Sequence, residues 1–333
     1  MQHFFSSNPF DRAEVARRDP KWIEATARKH GTRILPLWKL NVLMDRGAVV
    51  AQDAARGPST GSGRAGGESA NSGGSTPHAA LGWVGPELLA HLPPGVPAPI
   101  LLGLRDGVAH FAVDISNVQD PAALGLPDGW KFEEARAAAM DLPTVETGII
   151  AQSRAQADWH NRHRFCSVCG ERTQPERGGL QRRCTACKAE HFPRTDPVVI
   201  MLVHNGDRAL LGQTRARMSS GFYSCLAGFM DQGESIEEAV RREVREESGL
   251  EIKDVRYHSS QPWPFPSSLM IGCHATAVTD KINFETEEMS DVRWYTRAEV
   301  AAALENKNPD LKVPGPIAIA HHLIKAWVAG EVR

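Results

Sequence analysis

Residues 228–250 read GFMDQGESIEEAVRREVREESGL, and this stretch decides how the C-terminal half of the chain folds. Ser235 followed by Glu238 has the spacing of a capping box, which begins a helix, and Gly249 is the type of residue that ends one. The stretch therefore predicts a helix over residues 236–248. Its apolar side chains recur at the spacing of one helix face, which is expected to pack on a sheet. These apolar positions are Ile236, Ala239, Val240 and Val244.

Three glutamates share another face of the same predicted helix. Glu243, Glu246 and Glu247 stand at positions i, i+3 and i+4, which places them side by side. Carboxylates crowded in this way repel one another, and a divalent cation removes the repulsion. Because Mg²⁺ and Mn²⁺ prefer hard oxygen ligands, the sequence predicts a site for one of these ions here. The alternative is a solvated helix in which neighbouring arginines pair with the glutamates.

The whole stretch fits the pattern G-x5-E-x7-R-E-U-x-E-E-x-G-U, in which U is a bulky aliphatic residue. It resembles the Nudix box, the signature of hydrolases that split a nucleoside diphosphate linked to another group. The fixed positions are Gly228, Glu234, Arg242, Glu243, Val244, Glu246, Glu247, Gly249 and Leu250. The resemblance favours the metal site over the solvated helix. It also implies an α/β/α sandwich with a mixed sheet over residues 194–333, which agrees with the strand and helix patterns around the box.

Four cysteines have the spacing of a metal site. They form two Cys-x-x-Cys pairs, Cys166 with Cys169 and Cys184 with Cys187, with fourteen residues between the pairs. Four thiolates at this spacing are typical of a zinc ribbon, in which Zn²⁺ is structural because no coordination position stays open. Two disulfides are the alternative, which is disfavoured in a chain without an export signal. The sequence predicts a zinc ribbon over residues 158–193.

The N-terminal region, residues 1–157, carries no chemical motif. Strand-like and helix-like patterns predict an α+β domain, with a hairpin around Arg105-Asp106-Gly107. Residues 56–77 are almost entirely Gly, Ser and small polar residues, so we interpret them as a flexible insertion. A phosphate-binding glycine loop is the alternative, but no strand-loop-helix pattern surrounds the segment.

Composition and charge limit the possible functions. The chain has 333 residues with 38 Lys and Arg against 40 Asp and Glu, a formal net charge of −2. This balance gives no overall attraction to nucleic acid, so any RNA contact must be local. No apolar stretch approaches the roughly 20 residues of a membrane span, and the first residues, MQHFFSSNPF, lack the pattern of a secretory signal. We therefore expect a cytoplasmic protein without a membrane partner.

A second array follows the box. Residues 260–268 read SQPWPFPSS, which resembles the array that marks the NADH pyrophosphatases, also called NAD-capped RNA hydrolases. The order of ribbon, box and array is likewise that of this family. The resemblance implies that Gln261 and Ser268 offer polar contacts to a nucleotide. The alternative is a proline-stiffened loop that packs its two aromatic rings on the core.

Three further positions match this family. Phe229 matches an aromatic residue that stacks on a base or nicotinamide ring, and Phe192 stands where relatives commonly carry a tyrosine, which leaves stacking available. The alternative for each ring is a place in an ordinary core, an alternative that is stronger for Phe192 than for Phe229. Glu288 matches a metal-associated glutamate, although Glu287 and Asp291 lie close by and the segment alone indicates a solvated loop.

The resemblance implies Mg²⁺- or Mn²⁺-dependent hydrolysis of the diphosphate bridge of NADH or NAD⁺ to AMP and nicotinamide mononucleotide. The same cut on RNA with a 5′ NAD leaves a 5′-monophosphate end. Glu243, Glu246 and Glu247 are the expected ligands, and Glu288 either adds a ligand or helps to deprotonate water. Arg242 is expected to orient a box glutamate by an ion pair.

Two other functions stay open at the level of sequence. One is the same chemistry on ADP-ribose or a diadenosine polyphosphate. The other is an RNA-binding regulator that no longer cuts, although the box keeps all its glutamates. The basic residues of the ribbon could guide RNA or could offset the charge of zinc bound by thiolates. The family resemblance also implies a homodimer.

Overall fold

The computed structural model describes residues 2–47, 79–215, 221–284 and 286–332. The predicted insertion at 56–77 lies outside the described residues. Within these ranges the chain forms two six-stranded sheets with a three-stranded sheet between them in sequence. No helix of the described part is long and apolar enough to cross a membrane.

The N-terminal region is built on a mixed sheet. Its elements are α1 (Pro20–Ala27), β1 (Arg33–Trp38), β2 (Asn41–Asp45), β3 (Ala80–Leu81), α2 (Leu88–His91), β4 (Ile100–Arg105), β5 (Val108–Asp114), β6 (Lys131–Glu133), α3 (Ala135–Asp141) and α4 (Thr144–Arg162). The strand order is β3-β2-β1-β5-β4, and β6 pairs with β2. Strands β1 and β5 are parallel, whereas the β4–β5 pair is antiparallel and turns at the predicted Asp106-Gly107 position. The predicted α+β architecture is therefore confirmed.

The three-stranded sheet follows α4 directly. Its strands are β7 (Thr173–Glu176), β8 (Gln181–Cys184) and β9 (Glu190–His191), in the order β7-β8-β9. Helix α4 runs through residues 157 and 158 to Arg162, so it carries the chain continuously from the N-terminal region to the first cysteine pair.

The C-terminal region is an α/β/α sandwich, as predicted. Its elements are β10 (Asp196–His204), β11 (Arg208–Thr214), β12 (Leu226–Phe229), α5 (Ile236–Ser248), β13 (Ile252–Trp263), β14 (Ser268–Ala277), β15 (Met289–Thr296), α6 (Arg297–Leu304) and α7 (Ile319–Val328). The strand order is β13-β14-β10-β11-β15, with β12 paired to β10. Strand β10 is parallel to β14 and antiparallel to β11 and β12, which makes the sheet mixed.

Strand β10 shows how the sandwich is filled. Alternate side chains of a strand point to opposite faces of a sheet. Val199, Met201 and Val203 accordingly join the core beneath α5. Ile200 and Leu202 join the core beneath α6 and α7. Because β10 is buried on both faces, its sequence is a continuous apolar run rather than an alternating one.

The two large sheets repeat the same connectivity. In each, a parallel central pair (β1 with β5, β10 with β14) carries an antiparallel neighbour on either side. Each ends with a strand on the first hairpin (β6 or β15) and then two helices. The copies differ in the short strand that follows the hairpin, since β3 pairs with β2 whereas β12 pairs with β10, and in the helix after it. Where the C-terminal copy carries α5, the N-terminal copy has only the four residues Leu88–His91 of α2.

Candidate active site

Helix α5 forms where the sequence predicts it. It spans Ile236–Ser248, and the Ser235 side chain accepts from the Glu238 amide while the Glu238 carboxylate accepts from the Ser235 amide. Gly249 ends the helix with φ 73°, a left-handed conformation that a residue with a Cβ adopts less readily. Most of the apolar face is buried under the sheet, since Ala239, Val240 and Val244 are all 0% exposed, and Ile236 is partly buried against the same core. Packing therefore fixes which way the carboxylate face points.

Arg242 connects four groups around the box. Its Nε donates to Glu234 Oε1 at 2.7 Å and its Nη2 to Glu234 Oε2 at 2.9 Å, which forms a bidentate pair. Nη1 donates to Glu243 at 2.7 Å and to Glu246 at 3.0 Å, and Nη2 also donates to the Phe229 carbonyl at 2.8 Å. All five donors of the guanidinium are thus used. Arg242 therefore anchors α5 to the end of β12 and orients two carboxylates.

Gly228 makes room for the Glu243 carboxylate. A Cβ at position 228 would stand 1.9 Å from Glu243 Cδ, which no real structure tolerates. Glu243 itself is 8% exposed, and burial against β12 raises the pKa of its carboxyl, which the Arg242 guanidinium partly offsets. The first glycine of the box is therefore needed for close approach of a side chain to the strand.

Glu247 is the most strongly perturbed carboxylate of the site. It is 8% exposed, and its Oε2 accepts from the Ala227 amide of β12 at 3.1 Å. Burial, followed by the charges of Glu243, Glu288 and Glu246, raises its pKa to about 8. Burial and neighbouring carboxylates both make it costly to ionise this carboxyl, which is why its pKa rises.

Glu246 and Glu288 stand at the solvent side of this group. The Glu246 side chain is 60% exposed. Glu288 is exposed at the start of β15, where its carbonyl accepts from the Arg215 amide. The charge of Glu288 acts on both Glu243 and Glu247, so the structure brings the four predicted glutamates into one electrostatic field.

The glutamates fit a divalent cation by chemistry and surroundings. They offer hard oxygen donors, two of them buried, and their mutual repulsion is only partly offset by Arg242. They are not drawn as tightly together as the cysteines: in the described ranges, only the cysteines place three or more ligand atoms within 4.8 Å of one another. Like charge and separate anchors explain the difference, since Arg242 holds Glu243 and Glu246 while the Ala227 amide holds Glu247.

Two predicted aromatic residues and one serine lie near the same end of the sheet. Val198 of β10 is the register partner of Phe229 on one side and of Met270 on the other, and Asp196 pairs with Ser268. Phe229 is 60% exposed and Phe192, just before β10, is 62% exposed. Rings with this exposure are not part of a hydrophobic core. Ser268 lines a separate cavity of about 620 Å³ beside the N-terminal segment.

The predicted nucleotide contact by Gln261 is corrected by its surroundings. The residue is 0% exposed, and its Nε2 donates to the carbonyls of Phe4 and Ile317 at 3.1 and 2.8 Å. Its Oε1 accepts from the Ile319 amide at 2.8 Å. These bonds occupy both ends of the amide, so it cannot contact a nucleotide in this arrangement. Gln261 instead joins β13 to the N-terminal segment and to the start of α7.

The aromatic rings of the same array also pack internally. Trp263 and Phe265 contact the N-terminal core, and Phe5 lies edge-on to both at centroid distances of 5.8 and 5.6 Å. The Arg136 guanidinium stands 4.1 Å from the centroid of Phe265. The two rings therefore pack on a core, as in the alternative interpretation, and that core is the N-terminal one. The array is not a loop throughout, because residues 260–263 belong to β13 and Ser268 begins β14.

Sequence reasoning missed two backbone groups of the site, the Ala227 amide and the Phe229 carbonyl. Each is bonded by a box side chain, Glu247 and Arg242 respectively. A main-chain group has no residue signature, so only the helix-to-strand packing reveals it.

The four predicted cysteines form one cluster. Their sulfur atoms lie within 4.8 Å of one another, with Cys166–Cys187 at 3.7 Å and Cys169–Cys184 at 3.4 Å. Four thiolates about a tetrahedral Zn²⁺ stand roughly 3.8 Å apart at the usual bond length. Burial opposes ionisation of Cys184, yet amide donors from Ala186 and Cys187 bring its pKa to about 6. The site is suited to structural zinc, and neither predicted pair forms a disulfide.

Comparison with known families covers most of the chain in three adjoining parts. The NUDIX domain family matches residues 194–313. The NADH pyrophosphatase zinc ribbon domain matches residues 161–192. The NADH pyrophosphatase-like rudimentary NUDIX domain matches residues 31–159, in agreement with the repeated connectivity and the shortened α2.

Individual relatives match over different lengths. The NAD-capped RNA hydrolase NUDT12 of Homo sapiens is 46% identical over 57% of this chain and 44% of its own length. The NAD(P)H pyrophosphatase NUDT13, mitochondrial, of Homo sapiens is 38% identical over 66% of this chain and 68% of its own length. The NAD-capped RNA hydrolase NudC of Mycobacterium bovis is 38% identical over 73% of this chain and 79% of its own length.

The chain spans about half the length of the first curated relatives it matches. The match to NudC nevertheless covers most of both chains. With its zinc ribbon, complete box and rudimentary second copy, the chain belongs to the NADH pyrophosphatase and NAD-capped RNA hydrolase family of Nudix hydrolases.

Proposed function

We propose that this chain hydrolyses the diphosphate bridge of NADH and NAD⁺, giving AMP and nicotinamide mononucleotide. On RNA that carries a 5′ NAD, the same cut would leave a 5′-monophosphate end. The observation that carries the proposal is the buried pair Glu243 and Glu247, held against β12 with raised pKa values. The names of the relatives support the choice of dinucleotide.

The site residues have distinct tasks in this proposal. Glu243, Glu246 and Glu247 hold Mg²⁺ or Mn²⁺, and Glu288 faces the same space from the start of β15. When bound, the metal neutralises the diphosphate and lowers the pKa of a bound water. Arg242 acts as a positioning residue, because its contacts fix two of the carboxylates.

Substrate orientation is assigned to the exposed rings. Phe229 ends β12 directly after Gly228, and its ring is 60% exposed and therefore open to a ligand. Phe192 lies before β10, near the same end of the sheet. An aromatic ring stacks on a nicotinamide or an adenine without demanding one base, at about 1–3 kcal/mol per stacked base. Ser268 lines the neighbouring cavity and remains a candidate for polar contact.

The experiment is a product assay with Mg²⁺ or Mn²⁺ on four substrates in parallel: NADH, NAD-capped RNA, ADP-ribose and diadenosine tetraphosphate. We expect nicotinamide mononucleotide and AMP from NADH, and 5′-monophosphate RNA from the capped RNA. Cleavage of ADP-ribose or the diadenosine compound with NADH left intact would move the activity to another nucleotide. Binding of RNA without cleavage of any substrate would indicate a non-catalytic RNA-binding regulator.

A second measurement, of KM for NADH in variants of Phe229, distinguishes the contribution of this ring to substrate binding from that of the carboxylates. Phe229→Ala should raise KM for NADH, with the carboxylates still in place, whereas Phe229→Tyr should restore it. If Phe229→Ala leaves kcat and KM unchanged, the ring does not contact the substrate.

We further propose that the chain acts as a homodimer and that residues 1–157, 158–193 and 194–333 are its functional divisions. The support is the family resemblance for the dimer and the family matches for the divisions. Sedimentation equilibrium at micromolar concentration tests the dimer, and a mass of one chain would contradict it.

A further inference from the structure

A second polar cavity lies between the N-terminal region, helix α4 and the zinc ribbon. Its volume is about 480 Å³, and no box glutamate lines it. One wall comes from the end of β5 and the residues after it, and the other from the ribbon. The polar side chains that matter are Asn117, His160, Arg164, Arg172 and Arg182.

Arg182 is buried at this cavity with neutral partners only. It is 8% exposed, and its guanidinium donates to Thr173 Oγ1 at 2.7 Å, to the Thr173 carbonyl at 2.8 Å and to His160 Nδ1 at 2.9 Å. A guanidinium has five donors, so two remain for another group. A buried cation is costly unless an anion or further hydrogen bonds accompany it.

His160 does not supply a counter-charge. Its Nε2 stands 2.9 Å from the Gly179 carbonyl, an acceptor, so the proton lies on Nε2 and Nδ1 accepts from Arg182. Burial lowers the pKa of His160 to about 4, so the ring is neutral near pH 7. The histidine positions Arg182 without neutralising it.

Two further arginines at the cavity also lack a carboxylate. Arg164 donates to Asn161 Oδ1 at 3.3 Å. Arg172 places its guanidinium carbon 5.4 Å from the centroid of Phe165, a ring that is 57% exposed. Within the described ranges, neither arginine has an acidic oxygen at ion-pair distance, and the same holds for Arg182.

The other three arginines of residues 158–193 are paired. Arg162 pairs with Asp158 at 2.7 Å, Arg183 with Glu176 at 2.9 Å, and Arg177 with Glu14. Among the six arginines of residues 158–193, the three without a carboxylate partner in the described part of the chain all line the cavity. A general excess of basic residues on the ribbon would not produce this division.

One carboxylate does line the cavity, but it is already bonded. Asp114 accepts from the Ser116 amide at 2.9 Å and from the Asn161 side chain. Three cations thus face one anion whose oxygens are used by neutral donors. The cavity keeps a net positive charge.

Compensation of the zinc thiolates is the competing explanation for these arginines. The sulfur atoms receive their hydrogen bonds from main-chain amides instead. The Val168 amide lies 3.3 Å from Cys166 Sγ, and the amides of Ala186 and Cys187 donate to Cys184. The guanidinium groups of the cavity therefore do not donate hydrogen bonds to the cysteine sulfur atoms.

We propose that this cavity is a second anion site, which binds a phosphate group carried by an RNA chain or by a free nucleotide. Guanidinium groups match phosphate oxygens in geometry and charge. The exposed Phe165 ring beside Arg172 offers a face for an adjoining base. The site stands apart from the catalytic carboxylates, so it does not depend on which bond they cut.

The test measures binding of a single-stranded, 5′-monophosphate RNA ten-mer with a 3′ fluorophore, by anisotropy and without added divalent cation. Arg164→Gln with Arg172→Gln should weaken binding roughly tenfold, because both guanidinium groups are exposed and their attraction to phosphate is partly screened by salt. The slope of log K against log salt should fall by about 1.4, at about 0.7 per phosphate contact on a single strand. Unchanged affinity and slope would overturn the proposal.

The matched control removes two positive charges elsewhere, with Lys253→Gln and Lys307→Gln, and should leave affinity unchanged. Equal weakening by this control would show that general charge binds RNA, and it too would overturn the proposal. A second variant, Asn117→Asp, adds an anion from the opposite wall and should weaken binding while leaving the ribbon sequence intact.

Competition with AMP distinguishes the two sources of phosphate. Displacement of RNA from the wild type by AMP supports a free-nucleotide site, and binding that AMP does not displace supports the RNA chain. Zinc content and NADH turnover are measured on each variant and should match the wild type. A wild type that binds RNA through the cavity but does not cleave NADH would refute the proposed function alone.

Discussion

At the scale of single residues, the chemistry of the site depends on side chains held in unfavourable surroundings. Glu247 is an acid whose pKa is raised to about 8, mainly by burial and then by three neighbouring carboxylates. A raised folded-state pKa means that ionising this group costs stability. The cost is absent below the ordinary value near 4.5 and grows as pH rises toward 8.

We therefore predict that Glu247→Gln abolishes turnover and stabilises the protein when no Mg²⁺ or Mn²⁺ is added. A neutral amide still accepts from the Ala227 amide but carries no charge to bury. At pH 7.5, about three units above the ordinary pKa, the gain should be at most roughly 4 kcal/mol and should raise Tm by several degrees, and it should vanish near pH 4. Thermal denaturation at both pH values checks this, and a lower Tm for the variant at pH 7.5 contradicts it.

Gly228 gives a second prediction at this scale. In Gly228→Ala the new methyl group displaces the Glu243 carboxylate, which is the end of a flexible side chain, so the fold should survive. Turnover of NADH should fall roughly 100-fold, because misplacing a catalytic group by about 1 Å costs that much. Gly315→Ala is the control, since nothing stands within 4 Å of its added methyl group. Full activity in Gly228→Ala would show that Glu243 need not lie against the strand.

The same scale shows what the sequence could predict. The bounds of α5, its capping box and its glycine end all follow from local spacing, and each is confirmed. The bidentate partner of Arg242 is Glu234, which precedes the helix by two residues, and that choice depends on how the chain enters α5. The raised pKa of Glu247 was not visible in the sequence, because it requires the burial that β12 provides.

At the scale of elements, the SQPWPFPSS array shows the limit of local reasoning. The strands on either side of it form as one antiparallel pair, β13 with β14. The partners of Gln261 are Phe4 and Ile317 and Ile319, which lie far away in sequence. No local pattern announces such partners, so the sequence predicted a ligand contact where the structure has an internal one.

We predict that Gln261→Ala lowers the free energy of unfolding by about 2–4 kcal/mol, because it leaves buried carbonyl and amide groups without a partner. The KM for NADH of the folded variant should stay near that of the wild type when it is assayed well below its Tm. Gln119→Ala, at an exposed glutamine, should change neither quantity. A raised KM with an unchanged Tm would return Gln261 to the substrate site.

At the scale of the whole molecule, the zinc ribbon is the link between two similar sheets. It follows α4 without a break, and Arg182 bonds it to that helix through His160. A three-stranded sheet of this size has little core, so its fold depends on the metal. The cysteine spacing was enough to predict the cluster, whereas the contact with α4 required the structure.

We predict that Cys187→Ser reduces bound zinc below one ion per chain and lowers Tm. Ala186→Ser adds a hydroxyl to the neighbouring exposed position without removing a ligand, and it should keep both zinc and Tm. Zinc released by a thiol-reactive reagent and counted with a colorimetric chelator measures the first quantity. Full zinc occupancy in Cys187→Ser would mean that three thiolates suffice.

The repeated connectivity of the two sheets was not predicted, because the N-terminal copy keeps neither the box nor its glutamates. The family resemblance seen in the sequence rests on the Nudix box, the cysteine pairs and the SQPWPFPSS array, and none of these lies in the N-terminal copy. Alternation of apolar residues gave its strands, but strand order depends on pairing between distant segments.

Because the N-terminal sheet has only the short α2 where the C-terminal sheet has the glutamate-bearing α5, the two sheets differ in which insertions they can tolerate during evolution. The glycine- and serine-rich stretch enters the chain between β2 and β3, a position equivalent to the segment between β11 and β12 in the copy that carries the glutamates. A long insertion there would crowd the approach to working chemistry in one half, whereas the other half has no such chemistry to obstruct. The N-terminal sheet can therefore tolerate insertions at this position, whereas an insertion at the equivalent position of the C-terminal sheet would be selected against.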